Sequence, residues 1–451
     1  MQKLDRDIKL RTKGGQLETV PKYSRFLRFS ALTSPKKRGE NQGKSSKRCL
    51  DEEVAMLEDE SSFEVAFGLP WTCEGFIKQA CCNGHPSLKD MGVPPELDAA
   101  VRKHMEWSDL QLSNYRIAWC RKWMSRAHEL EAQERQAAAK RHAAVAELTS
   151  NKRLLLTREM LADINYEDVD AISLLEQGAT LAGEVEKSPA FETQFKPCLA
   201  TVSQLEADAT RRNQLVLQLT CSSGSEETDL QLLAETELEV ERGWAEGPID
   251  LSALEEGATI SRRFPLVQSS KTRMIDDFSV SGVNDSCIAH NRVDLHLIDT
   301  FCAMVKSFFG QCAVAGKDSE LRAKTYDLTS AYRQVPIRPS HYKYAYVCIY
   351  NCKRGCAEIY RMKTMPFGAT HSVYCFLRLA RSLYSLAVRG LYLLTTNFYD
   401  DFILAAQPGL CESSKNSMEL LFMLTGWLYA KDGKKSTAFA NHCKALGVEF
   451  D

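Results

Sequence analysis

GLYLLTTNFYDDFILAA, residues 390–406, sets two adjacent carboxylates, Asp400 and Asp401, between two apolar runs. The runs have strand length and strand composition, so two strands meeting at a tight turn is the direct reading. Neighbouring side chains on a strand point to opposite faces, whereas at a turn apex both acids can reach one ion cluster. Flanked by Phe398, Tyr399, Phe402 and Ile403, the two acids repel each other and lose solvation, an arrangement that stability alone does not justify. Divalent cations resolve the conflict. Oxygen ligands of this kind suit magnesium or manganese rather than zinc, because no His or Cys has the matching spacing.

Working outward, KTYDLTSAYRQVPI (324–337) reads as a strand running into a polar turn, with Asp327 set among apolar residues. A carboxylate there needs a cation or hydrogen-bond donors, although capping the turn after a strand is the commoner use of Asp. YKYAYVCIY and EIYRMKTM flank NCKRGC and predict a hairpin closed near Gly355. In MPFGATHSVYCFLRLARSLYSLAVRG (365–390), Pro366 and Gly368 mark a rigid turn, and Val373, Phe376, Leu377, Ala380 and Leu383 follow at helical spacing up to Gly390. Glycine at such a turn lets backbone approach a flat base closely. Upstream, RRFPLVQSSKTRMIDDF (262–278) predicts two strands around a polar turn, with four cations about it. Arg273 and Lys271 could clamp a triphosphate there, since guanidinium pairs bidentately with phosphate oxygens. A solvated turn carries the same residues.

The amino-terminal half is less specific. Residues 1–60 read as a basic, disordered arm, with Lys36-Lys37-Arg38 and Lys47-Arg48 in a Ser/Gly setting; it is a nuclear-entry or nucleic-acid tether or a plain solvated tail. Residues 61–221 predict a mainly helical region of unassigned role. Between Glu96 and Gln177 there is neither Gly nor Pro, which predicts a set of long helices; Trp119, Trp123, Ala127 and Leu130 recur at three and four, as in a helical hairpin, a surface that docks on the rest of the chain, or a plain helical spacer. Cys73, Cys81, Cys82 and His85 lack the paired spacing of a zinc site. SSGSEE opens a linker and acidic helix over 222–260, ended by Gly243 and Gly247-Pro248.

With 57 Lys and Arg against 59 Asp and Glu, the net charge is near zero, and the 16 Cys show no repeating spacing. Reduced thiols buried as small apolar groups follow from that. Neither a membrane span nor a secretory signal is indicated, so a nuclear or cytoplasmic location and no membrane partner are expected.

From Arg262 to Asp451 the ordered set resembles the reverse transcriptases of retroelements. TRMIDDFSVSGVN is similar to the fingers segment, with Arg273 in the triphosphate-contacting place, and DLTSAYRQVPI to the first catalytic motif. MPFGATHSVYCFLR resembles the template- and nucleotide-positioning motif. Its PFG is nearest long-terminal-repeat and tyrosine-recombinase elements, where many others read PQG. FYDDF matches the catalytic turn, with Phe398 where Tyr is common and Tyr399 where a small or apolar residue is. GWLYAKDGKKS and CKALGVEF resemble the last two palm motifs.

The resemblance implies an α+β fold: right-hand polymerase fingers and palm over 261–451, an antiparallel sheet with helices, behind the helical amino-terminal region and without a thumb. It implies an RNA-directed DNA polymerase using Mg2+ or Mn2+, held by Asp327, Asp400, Asp401 and the Leu328 carbonyl. Lys271, Arg273, Tyr332, Pro366, Phe367 and Gly368 would bind the nucleotide. Tyr332 would exclude a 2′-hydroxyl, Lys435 would donate a proton, and Leu446-Gly447 would begin the primer grip. The implied partners are a primed RNA or DNA template, deoxynucleoside triphosphates and another chain as a source of thumb or ribonuclease H. Two alternatives stay open at this point. One is an inactive or domesticated remnant that binds nucleic acid. The other is an RNA-directed RNA polymerase, for which a second Asp near position 332 would be expected.

Overall fold

The computed structural model describes residues 8–11, 17–20, 92–268, 271–317, 320–431 and 437–450. The chain divides into two units, Met1–Lys89 and Asp90–Asp451. In the first unit two short strands, β1 (Ile8–Arg11) and β2 (Leu17–Val20), pair antiparallel inside the expected basic arm. The remainder of that arm and Cys73, Cys81, Cys82 and His85 lie outside the described residues.

The second unit begins with helices. The stretch Glu96–Gln177 is helical in pieces of unequal length, the longest Asp109–Glu129, beside Pro95–Glu106, Glu131–Ala139, Ala143–Leu148, Leu154–Asp163 and the short Val169–Ile172 and Ser173–Glu176. The breaks have local causes. Ser108 accepts from the Gln111 amide while the Gln111 side chain returns to the Ser108 amide, a reciprocal cap that starts a new helix. Trp123 is buried and Trp119 half-buried, so the predicted docking face is used. Gly390 lies so close that a Cβ there would stand 3.0 Å from the Trp123 ring.

The remaining strands are β3 (Thr193–Lys196), β4 (Ala245–Ile249), β5 (Ile260–Gln268), β6 (Lys271–Asp277), β7 (Ala289–Asn291), β8 (Arg322–Asp327), β9 (Tyr346–Asn351), β10 (Cys356–Met362), β11 (Leu394–Phe398), β12 (Asp401–Ala406), β13 (Cys443–Ala445) and β14 (Val448–Phe450). A five-stranded sheet has the order β4-β10-β9-β5-β6, antiparallel except for the parallel β5–β9 pair. The acidic helix, Glu226–Glu241, packs against β4, β5 and β9. A three-stranded antiparallel sheet has the order β11-β12-β8. Helices Ile298–Ala315, Thr370–Ser385 and Cys411–Thr425 pack on that sheet.

The second unit mixes helices and sheets in an α+β arrangement, and among its described residues one large hydrophobic cluster is flanked by smaller ones, such as Ile260, Tyr346 and Ile359. Leu97, Trp123, Leu156 and Met160 from the early helices join Tyr326, Phe402, Phe376 and Phe422 in a single cluster. Burial of that much apolar area is the dominant favourable term available to the chain. Among the described residues no helix is long and apolar enough to cross a membrane.

Candidate active site

The turn between β11 and β12 fixes the acids. Phe398 pairs with Asp401, which leaves Tyr399 and Asp400 as a two-residue loop. Such loops need a residue of positive φ, usually Gly. Here Tyr399 supplies it at φ 51°, a strained setting for a bulky side chain that costs about 1–3 kcal/mol. Strand β12 also pairs with β8, so Asp401 lies directly opposite Asp327. The Leu328 amide donates to the Asp400 carbonyl at 3.0 Å. That bond makes Asp327 and Asp401 a non-hydrogen-bonded pair, whose Cα atoms stand about 4.5 Å apart with both side chains on one face.

A cleft of about 1220 Å³ opens beside this sheet end. Asp327, Asp400 and Asp401 line it and are half-buried. Among the described residues no group of three His, Cys, Asp or Glu side chains is drawn to metal-holding spacing. The acids thus share one stretch of cleft wall without closing into a shell.

Facing parts of the wall come from other predicted motifs. Arg273 enters from β6 with Thr272 and Met274. It is exposed and, among the described residues, makes no ion pair. Tyr332 follows Asp327 in a short helical turn, Ala331–Gln334, entered through Ser330 at φ 50°. Its ring packs on Phe376 at 5.3 Å and Phe367 at 6.1 Å between centroids. Burial pushes its phenol well above the ordinary range, and Tyr399 and Asp400 add to the shift, so Tyr332 presents a neutral ring. Phe367 and Gly368 line the same cleft.

Four expectations are bounded here. Gly368 (φ 117°) lines the cleft and also meets β6 closely: a Cβ would stand 2.1 Å from the Asp276 carbonyl. Beside it the Asp276 amide donates to the Phe367 carbonyl at 3.1 Å. Of the four cations expected about the basic hairpin, Arg263 is committed inside the protein. It pairs with Asp276 at 2.5 Å and Glu239 at 2.7 Å. Lys435 lies outside the described residues, as does the side chain of Lys271. Leu446 and Gly447 form the two-residue turn of the β13–β14 hairpin, both at positive φ; they are not part of the cleft lining.

Sequence reasoning missed the wall supplied by the acidic helix and its exit: Glu235, Leu238, Glu239, Arg242 and Trp244. Glu239 is the informative one. Burial pushes its carboxyl up, but Arg263 and Arg333 together outweigh that and hold it below the usual range. Arg333 pairs with Glu239 at 2.7 Å and donates to the Met365 carbonyl at 3.0 Å. The four charges tie acidic helix, β5, β6 and the turn after Asp327 into one network. No local signal betrayed it, because an acidic helical face normally reads as solvated.

No protein-family model matches the chain, and no curated protein matches it. Among solved structures, the protease-reverse transcriptase of prototype foamy virus is similar at 14% sequence identity and a TM-score of 0.37, over 50% of this chain and 26% of that one. The chain therefore spans about a quarter of the length of that protein.

Proposed function

We propose that the chain is an RNA-directed DNA polymerase of a retroelement that adds deoxynucleotides to a primer 3′-hydroxyl. One observation supports this above the others: residues from four separated motifs, Arg273, Asp327, Tyr332, Phe367 and the Asp400-Asp401 pair, line a single cleft. A solvated hairpin tip and a turn-capping Asp, the bland readings of two of these, have no reason to meet there.

The donor set suits a hard cation. Asp327, Asp400, Asp401 and the Leu328 carbonyl offer oxygen only, as magnesium or manganese prefers. When bound, such ions lower the pKa of the primer hydroxyl and neutralise charge on the leaving pyrophosphate. The chain's own residues do the rest. Arg273 takes the triphosphate through its planar fork. Tyr332, braced by Phe367 and Phe376, stands under the sugar and excludes a 2′-hydroxyl, selecting deoxynucleotides. The strained Tyr399 turn sets Asp400 beside the Leu328 amide.

Primer extension on RNA and DNA templates, with magnesium or manganese, tests the reading. Asp400→Asn keeps shape and removes charge, so extension should fall by roughly 10³-fold or more. The variant should melt no lower than the parent, because repulsion among the acids is relieved. Manganese should raise the melting temperature of the parent and not of the variant. If Asp400→Asn melts lower and manganese stabilises neither protein, the metal site is abandoned in favour of a remnant that binds nucleic acid.

A further inference from the structure

Lys152 lies between helices Ala143–Leu148 and Leu154–Asp163, far upstream of the cleft motifs in sequence. It is 5% exposed. Its ammonium donates to the Gln334 side-chain oxygen at 3.2 Å and to the Gly426 carbonyl at 3.1 Å, and it stands 4.0 Å from the Trp427 ring. None of these partners is a carboxylate. An ammonium without a counter-charge is a costly thing to bury, and an apolar side chain of similar volume would serve packing better.

The acceptors explain what a buried Nζ donor does there. Gln334 is clasped on every side: its oxygen also accepts from the Leu428 amide at 2.9 Å, and its nitrogen donates to the Thr329 and Leu428 carbonyls, both at 2.9 Å. Asn151 donates to the same Gly426 carbonyl at 2.9 Å. Gly426 has φ 76°, and a Cβ on it would meet the Asn151 carbonyl at 2.1 Å, so the contact is backbone on backbone. The segment so clamped then grips the end of β8. Thr329 donates to the Leu428 carbonyl at 3.0 Å, and Ala430 donates to the Asp327 carbonyl at 2.9 Å.

We propose that Lys152 is a positioning residue: through Gln334 and the Gly426–Ala430 segment it holds the end of β8 that carries Asp327 and Leu328. The helical region is then a buttress of the cleft wall. The catalytic half of this inference rests on the polymerase reading; the structural half does not.

The test uses the full chain with Lys152→Met and, separately, Gln334→Ala, read by hydrogen–deuterium exchange and by primer extension. In both variants the amides of Thr329, Leu428 and Ala430 should exchange about 10-fold faster, while helices Leu154–Asp163 and Cys411–Thr425 keep parental rates. The turnover number should fall about 10-fold with the nucleotide KM unchanged, as misplacement of a reacting group predicts. The double variant should add nothing further, since both residues act in one clamp. Parental exchange at the three amides overturns the proposal, and so does uniform acceleration across the chain, which would mark a merely structural role. If the parent extends no primer, the polymerase reading fails, and the exchange pattern alone decides the buttress.

Discussion

Tyr332 is half-buried in the cleft wall and Lys152 is buried behind it, and the two make different predictions. The Tyr332 ring is fixed by Phe367 and Phe376, so its edge is a rigid surface. Replacing it with Val or Ala should raise ribonucleotide incorporation relative to deoxynucleotide incorporation by about 10-fold or more, in line with loss of a steric contact worth 1–3 kcal/mol. Equal discrimination by variant and parent, in competition assays, would remove Tyr332 from the gate. Lys152 titrates instead. Burial draws its ammonium down from 10.5 to about 7, so between roughly pH 7 and 10 the unfolded chain binds a proton that the folded one has released. Stability therefore rises with pH across that window. Urea midpoints at pH 7 and pH 9 should show a rise in the parent that Lys152→Met lacks; identical pH slopes would refute the shift. Asp327, Asp400 and Asp401 stood out in the sequence because carboxylates among apolar residues are chemically odd, whereas Arg273 alone reads equally as a solvated turn and Tyr332 entered only through the resemblance. Lys152 was not legible, since an isolated Lys between helices ordinarily reads as solvated.

At the scale of elements, hairpins and helix starts were legible because turn chemistry is local. Gly355, Pro366 and the Phe398–Asp401 run each marked its turn. What holds β6 to the Pro366–Gly368 turn was not legible, since it depends on residues distant in sequence. Gly368→Ala brings a Cβ against the Asp276 carbonyl and forces alanine into a positive φ, which should cost about 2–4 kcal/mol. The charge network beneath this contact makes a sharper prediction. Arg263 and Arg333 balance Asp276 and Glu239, so removing Arg263 alone strands a buried negative charge. Arg263→Met should cost about 3–5 kcal/mol, while Arg263→Met with Asp276→Leu leaves Arg333–Glu239 as a neutral pair and should recover a large part of that. A denaturant double-mutant cycle reads the coupling. Additive losses would mean that the network is four independent surface-like contacts.

For the molecule as a whole, the sequence announced two halves and the structure joins them in one large hydrophobic cluster from Leu97 to Ala445. Amphipathic spacing told that the helices had something to cover, but a docking face does not name its partner. Three histidines lie along the seam. His104, on helix Pro95–Glu106, bonds the Tyr392 carbonyl at 3.0 Å and the Gln407 side chain at 3.2 Å. His371 bonds Thr180 and the Gly183 carbonyl, both at 3.2 Å, and His341 accepts from the Leu181 amide at 3.3 Å. Burial draws each down from 6.5 to about 4, helped by Arg116 at His104, by His341 at His371, and by Arg338 and Lys343 at His341. The unfolded chain thus binds more protons between pH 6.5 and 4, and stability falls as pH drops through that range. Carboxylates held low, such as Glu239 and Glu206, lose their contribution only below the ordinary carboxyl range, about pH 4.5, which leaves pH 6.5 to 5 to the histidines. Each of the two most deeply buried rings, His104 and His371, should remove on the order of 1–2 kcal/mol over that interval. Urea midpoints should decline between pH 6.5 and 5 in the parent and decline less in His104→Gln and His371→Gln. The loss should appear first as exchange of amides along the seam, at Leu181, Gly183 and Tyr392, rather than at the β8–β12 pair. A flat profile across that interval would show that the rings titrate normally and that the seam is held by apolar packing alone.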